Sequence, residues 1–347
     1  MIWVNRILYI LNMLTLFALA LAYLAPYISP STFLWPVAFL GLLYPVLLLV
    51  NLLFTFYWII IFKRHFWSNL FIILLGWGHL DRLFNITNTK ENIQADFSVM
   101  SYNVRLFNVY EWIDNKNVED EIVDFINTEQ PNILCLQEFY APNELPNIQL
   151  PYQHIGLQSQ KKQWRMATYS NFPIIQKGTV SIKGERKNNI CIYSDIITSN
   201  DTIRVYNIHL ASNWFRPSDY SFMQSPSLET EELKKNMISI GDRLKTSFIK
   251  RAEQVKAIKK HVNKSPYPVI LCGDFNDTPD SYAYQYLSKG LNDTFVEQGL
   301  GLGRTYNGKF PSLRIDYILS SPELDIHSFS TKNVTLSDHF PIIAGFN

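Results

Sequence analysis

Between Ile7 and Phe62 the sequence contains no Asp, Glu, Lys or Arg, a gap that a soluble domain of that size does not tolerate, because charge must cover its surface. That stretch belongs in lipid. Cysteine is scarce as well. Cys135, Cys191 and Cys272 sit in apolar runs without zinc or redox spacing, which excludes a disulfide-stapled scaffold and gives no Cys-ligated metal site. Buried thiols suit either redox compartment, so they leave the topology open. An excess of either charge is also missing: 31 Lys and Arg stand against 30 Asp and Glu. Residues 1 to 80 hold only Arg6, Lys63 and Arg64 of these, leaving 28 basic and 30 acidic residues for the rest. That balance offers no general attraction to a polyanion. No repeat of solenoid length is evident.

Pro26, Ser29, Pro30 and Ser31 interrupt the uncharged stretch, which predicts one helix over about 7–28 and a second over about 33–62. At 1.5 Å per residue the first would reach about 33 Å, the thickness of a bilayer core. A third apolar run, 66–80, would reach about 22 Å, enough to cross marginally or to lie at the interface. Trp67, Trp77 and His79 suit an interfacial boundary. Residues 1–80 are therefore expected to form a three-helix, multi-pass membrane segment, followed by a polar linker over 81–95. A cleaved signal peptide over 1–22 is the alternative for the first run, and the second long run argues against it. Arg6 and the Lys63, Arg64 and His65 cluster flank the uncharged loop, so both flanks are expected in the cytoplasm. If the third run crosses, the domain at 96–347 is extracytoplasmic.

From Phe97 onward short β-branched and apolar runs recur at 97–104, 133–136, 190–197, 203–210, 268–272, 313–319 and 339–344. Helical spacing separates them, in Val118, Ile122, Phe125 and Ile126, and over about Glu231 to Val262. Strands interspersed with helices predict an α/β domain with two apolar-faced sheets. Most of these strands end or break at a polar residue. Asn103, Glu138, His209, Asp274, Asn276, Asp316, Asp338 and His339 all follow or interrupt an apolar run. Carboxylates and amides gathered on one rim of a sheet suit Mg²⁺, Mn²⁺ or Ca²⁺ rather than zinc. Asp274 and Asn276 are two apart, so on extended chain they would share a face. Asp338 and His339 are adjacent and require a bend, which Phe340-Pro341 supplies. Singly, each has an ordinary structural reading as a strand-end amide, a Gly-Asp turn or a buried ion pair. His154, His261 and His327 lack such companions and read as structural or exposed.

The ordered set Asn103, Glu138, His209, Gly273-Asp274-Phe275-Asn276, Arg314-Ile315-Asp316-Tyr317 and Ser337-Asp338-His339 resembles the endonuclease/exonuclease/phosphatase superfamily, the deoxyribonuclease-I-like fold, across about 95–346. Ser170-Asn171-Phe172-Pro173-Ile174 and Arg251-x-x-Gln254 resemble lesser family features. The resemblance implies a four-layer α/β sandwich of two packed mixed β-sheets flanked by helices. It further implies Glu138 as the principal metal ligand, with Asn103 and Asp338 near the ion, and Asp274 and Asn276 orienting water and phosphate. His209 would contact the scissile phosphate, and His339, held by Asp316, would stabilise or exchange a proton with the phosphoryl group.

The expected function is a membrane-tethered, divalent-metal-dependent phosphoesterase with a lipid bilayer and a phosphate ester as partners. The ester is a phospholipid, a nucleic acid or a small phosphate. The alternatives are a nuclease and a catalytically silent membrane-anchored binding protein. Asn213-Trp214-Phe215-Arg216-Pro217 and Ser225-Pro226-Ser227 are expected to shape the pocket rim. Lys161, Lys162 and Arg165 read either as a polyanion contact or as a solvated face.

Overall fold

The computed structural model describes residues 2–86, 95–142, 144–156, 164–184, 190–224, 230–308 and 313–347. Among these residues twelve strands form two six-stranded sheets. The first contains β1 (Phe97–Asn103), β2 (Ile133–Tyr140), β3 (Tyr152–Ile155), β4 (Trp164–Ser170), β11 (Ile326–Thr331) and β12 (Ile342–Phe346), in the order β11-β12-β1-β2-β4-β3. The second contains β5 (Ile174–Thr179), β6 (Cys191–Ile197), β7 (Thr202–His209), β8 (Val269–Asp274), β9 (Asn292–Asp293) and β10 (Asp316–Ser320), in the order β5-β6-β7-β8-β10-β9. Each sheet is mixed, with one parallel pair at its centre, β1 beside β2 and β7 beside β8.

Period-two alternation explains the layers. Val99, Cys135, Val205, Ile270, Cys272 and Ala344 point between the sheets into a core that excludes water. Met100, Tyr102, Leu134 and Leu136 point outward onto Ile122 and Ile126 of α6 (Val118–Glu129). On the other face Tyr206, Ile208 and Leu271 meet Val255 and Ile258 of α8 (Thr230–Val262), with Leu287 of α9 (Tyr282–Ser288). The result is the four-layer sandwich. Two short helices, α7 (Pro217–Gln224) and α10 (Thr294–Gln298), lie in its connections. All three cysteines are free and buried.

The N-terminal segment departs from expectation in two places. The stretch Trp3–Tyr27, most of it α1 (Ile2–Ala22), is long and apolar enough to cross a membrane. The second run is not one helix over 33–62. It is α2 (Pro36–Leu42) and α3 (Tyr44–Ile60), bent by 66°. Pro45 opens α3, and a proline there lacks the N–H and crowds the preceding turn, so the continuous helix breaks. The third run likewise divides at Gly76 into α4 (Phe66–Leu75) and α5 (Trp77–Leu83). The expected linker therefore begins inside a helix, and Asn85 pairs its backbone with Gly301.

Polar contacts account for this docking. His79 Nδ1 lies 2.5 Å from the buried carboxylate of Asp280, and the Arg82 carbonyl accepts from Arg314 Nη2 at 2.9 Å. Gly41 lets α2 close in, because a Cβ there would stand 2.5 Å from the Asp280 carbonyl oxygen. Within the helices Asn12, Asn51 and Asn69 are fully buried and hydrogen-bonded to one another, and Trp58 Nε1 donates to Asn12 Oδ1 at 2.8 Å. Buried amides bonded across apolar helices hold their register. The start of α1 meets the end of α3, through Tyr57 and Asn5 (2.8 Å) and the rings of Tyr9 and His65 (4.4 Å). The basic cluster thus sits at the end of the bundle remote from the β-sandwich.

Candidate active site

The central parallel pairs bring the strand-end residues to one rim. Asp274 is the in-register partner of His209 on β7 and of Asp316 on β10. Asn103 closes β1 on the other sheet, and its Nδ2 donates across the sandwich to Asp274 Oδ2 at 3.0 Å. Beneath the rim a second crossing forms, in which Gln137 Nε2 donates to Asn207 Oδ1 at 2.8 Å while Asn207 Nδ2 donates to the Leu136 and Ala167 carbonyls.

Glu138 would follow the alternation of β2 were it not for an irregularity between Leu136 and Phe139. A bulge re-aims the side chain it contains, and Glu138 adopts a left-handed φ of 48° there. Its Oε1 lies 3.6 Å from His209 Nε2, a buried atom without a hydrogen-bond partner among the described residues. At the end of β8, Gly273 has a φ of 136°, and a Cβ there would collide with the Ile208 carbonyl. The chain then turns rather than continuing extended, because Asn276 has a φ of 53° and its backbone N–H donates to Asp274 Oδ1 at 2.7 Å. The two side chains still meet, at 3.1 Å, through this Asx-type turn.

His339 Nδ1 donates to Asp316, 2.9 and 3.1 Å from its two oxygens, and its Nε2 stands 3.7 Å from Asp274 Oδ2. Ser337 sets this loop, donating to the Asn103 carbonyl at 2.7 Å and accepting from the His339 backbone at 3.2 Å. Burial opposes a charge on His339, yet Asp316 and Asp274 hold its pKa well above the ordinary imidazole range. Burial lifts the Asp274 pKa to about 6, against the pull of His339 and His209. A carboxylate made more basic beside an imidazolium is the arrangement that acid–base chemistry requires.

The residues present fit a hard cation. Glu138 and Asp338 line the cavity with carboxylate oxygens, and the amide oxygen of neighbouring Asn103 accepts from the Arg105 backbone N–H at 3.1 Å. The ligand atoms of Asp274, Asp316 and His339 also lie within 4.8 Å of one another. Those atoms are already engaged: Asp316 receives His339, and Asp274 receives Asn103 and Asn276. Glu138 is the freer ligand.

Several residues of the site carry no sequence signal. Arg105 follows Asn103 on a left-handed turn, stacks over Trp112 at 4.3 Å and pairs with Asp338 at 3.3 Å. Tyr306 packs on His339 from a distant loop. Asn213, Trp214 and Phe215 line the cavity as expected, whereas Ser225-Pro226-Ser227, Lys161 and Lys162 lie outside the described residues. Arg165 is placed on β4 opposite Phe139. His154 and His261 are bonded to Ser194 and Tyr206, away from the rim, and His327 is buried.

A family model for the endonuclease/exonuclease/phosphatase family matches residues 100–339. The chain belongs to that family. As a member of the endonuclease/exonuclease/phosphatase family it is, at that level, a metal-dependent hydrolase of phosphate esters. A second model, a domain of unknown function (DUF8431), matches residues 5–83. A functionally unknown conserved protein from Enterococcus faecalis V583 shares the fold at 17% identity and a TM-score of 0.51, over 72% of this chain and 99% of that one. A mannosyl-6-phosphatase from Bacteroides thetaiotaomicron VPI-5482 does so at 18% and 0.51, over 72% and 99%. At such identities the likeness concerns the fold alone. No curated protein matches the sequence.

If Asp316 acts by holding His339, the two behave as a unit. His339→Ala should lower kcat/KM by about 10²- to 10⁴-fold, and Asp316→Asn by nearly as much. The double variant should fall far short of the product of the two losses. Steady-state kinetics on the purified variants checks this, and multiplicative losses would separate the residues.

Proposed function

We propose that this chain is a membrane-tethered, Mg²⁺-dependent phosphoesterase, with Mn²⁺ or Ca²⁺ as alternative ions, that hydrolyses a phosphate ester by attack of water. One observation carries the reading: a single rim combines an oxygen-only ion shell, a donor-bound carboxylate and an imidazolium held by its own carboxylate. Glu138, Asn103 and Asp338 would hold the ion, which when bound offsets phosphate charge. Asp274, aimed by Asn103 and Asn276, takes a proton from water as the new O–P bond forms. The ester P–O bond breaks, and His339 Nε2 gives its proton to the leaving oxygen. Proton return from Asp274 to His339, 3.7 Å apart, closes the cycle. His209 offers its unpaired Nε2 to a phosphoryl oxygen. A silent binding module has no use for this whole set. The nuclease alternative draws less support, because 28 basic against 30 acidic residues after position 80 offer no general attraction to a polyanion.

The membrane part of the reading has three crossings, with α1, α3 and α4 running through the bilayer, α2 lying against the sandwich, and the catalytic domain outside the cytoplasm. Its support is the charge distribution: Lys63 and Arg64 flank the end of the bundle opposite the sandwich, and positive charge stays inside.

Glu138→Gln should leave the protein folded by circular dichroism and lower turnover by about 10²-fold or more. Unchanged turnover would remove Glu138 from the mechanism. For topology, Glu323 is exposed and the native cysteines are buried. A membrane-impermeant maleimide should label Glu323→Cys in intact cells. Labelling only after lysis would place the domain inside.

A further inference from the structure

One hollow of about 360 Å³ is lined by polar groups, among them Glu138, Asp274 and His339, and by an apolar wall, Leu42, Phe215, Met223, Leu244 and Phe248. Leu42 does not belong to the sandwich. It comes from α2 of the uncharged N-terminal segment, so the catalytic cavity is completed by the part of the chain that the sequence assigns to lipid. The seam is well made: Phe39 of α2 meets the edge of Phe248 on α8 at 5.4 Å, and Lys245 Nζ sits 4.5 Å over Trp35.

Resting on the phosphoesterase reading, we propose that the substrate is a phosphate ester of a membrane lipid, with its phosphate at the rim and the start of its apolar chain against this wall. Three further observations point that way. Large apolar side chains near the wall are uncovered: Phe33 and Leu43, flanking α2, are 86% and 47% exposed, and Trp214 in the cavity lining is 67% exposed. Exposed large apolar side chains mark a surface for an apolar partner, and tryptophan suits the boundary of a bilayer. Arg251 also lines the hollow, its guanidinium 5.2 Å from the Phe248 ring centroid and its Nε on Asp277 at 2.8 Å. Its Nη2 is buried and has no hydrogen-bond partner among the described residues, an N–H that burial leaves in want of an acceptor beside this wall. A sugar phosphate would leave the apolar wall in water, whereas an acyl chain would cover it.

The test is a chain-length comparison on the full-length protein held in amphipol, which offers neither phosphate nor a lipid phase. Two matched pairs are assayed with Mg²⁺ below micellar concentration: glycerol 3-phosphate against dihexanoyl phosphatidate, and glycerophosphocholine against dihexanoyl phosphatidylcholine. At least one acylated member should have a kcat/KM about tenfold or more above its deacylated partner. Leu42→Ser and Phe248→Ala should each shrink that ratio toward one. Equal rates within both pairs, or faster cleavage of thymidine 5′-phosphate p-nitrophenyl ester than of either lipid, overturns the lipid assignment and leaves the phosphoesterase reading standing. No turnover of any ester overturns both. The wild-type ratio decides even if a variant fails to fold.

Discussion

A carboxylate buried between two β-sheets must be met by donors, and Asp274 draws them from both sheets. Asn103 reaches it from the first, Asn276 gives it a backbone and a side-chain N–H from the second, and two imidazoles stand 3.7 Å away. An unmatched buried carboxylate costs several kcal/mol, so the sandwich closes in the one register that supplies these groups. The same closure fixes the rest of the rim. Asp316 is placed by pairing with Asp274, His339 is placed by Asp316, and Ser337 ties the His339 loop back to Asn103.

Much of this was legible because burial leaves a plain mark on a sequence. A central strand is an apolar run, and a polar residue that ends it must point somewhere; hence Asn103, His209, Asp274 and Asp316 stood out. The edge strands did not. Tyr152 on β3 and Ile175 on β5 are exposed, so those runs lack the apolar continuity that a buried strand shows. Asn276 meets Asp274 for a different geometric reason from the one its spacing implies, since its left-handed backbone turns its N–H onto the Asp274 carboxylate instead of following strand periodicity. Arg105, Trp112 and Leu42 acquire their roles only from tertiary contacts, and no local spacing announces them.

The N-terminal helices are more than an anchor appended to an enzyme. Asp280, which receives His79, lies in the loop that follows Asn276 and Asp277, and Arg314 joins Asp293 to the Arg82 carbonyl two residues before Asp316. Both links run from α5 into the segments that carry the rim residues Asn276 and Asp316. The single polar cluster inside the apolar helices, Asn12, Asn51 and Asn69 with Trp58, fixes how α1, α3 and α4 pack, and through that where α2 presents Leu42. Helix packing and cavity shape are one problem in this chain. A change made in the bundle is therefore a change made to the site.

The claim at the centre is that one ion, held by Glu138, Asn103 and Asp338, works with the Asp274 and His339 pair to cleave a phosphate ester. Turnover measured while Mg²⁺ is added back to EDTA-stripped full-length protein tests it most directly. The account predicts negligible cleavage without metal and saturable recovery with Mg²⁺ that the Glu138→Gln protein does not show. Full turnover by the stripped protein, or recovery by the variant at the same Mg²⁺ concentration, would contradict it.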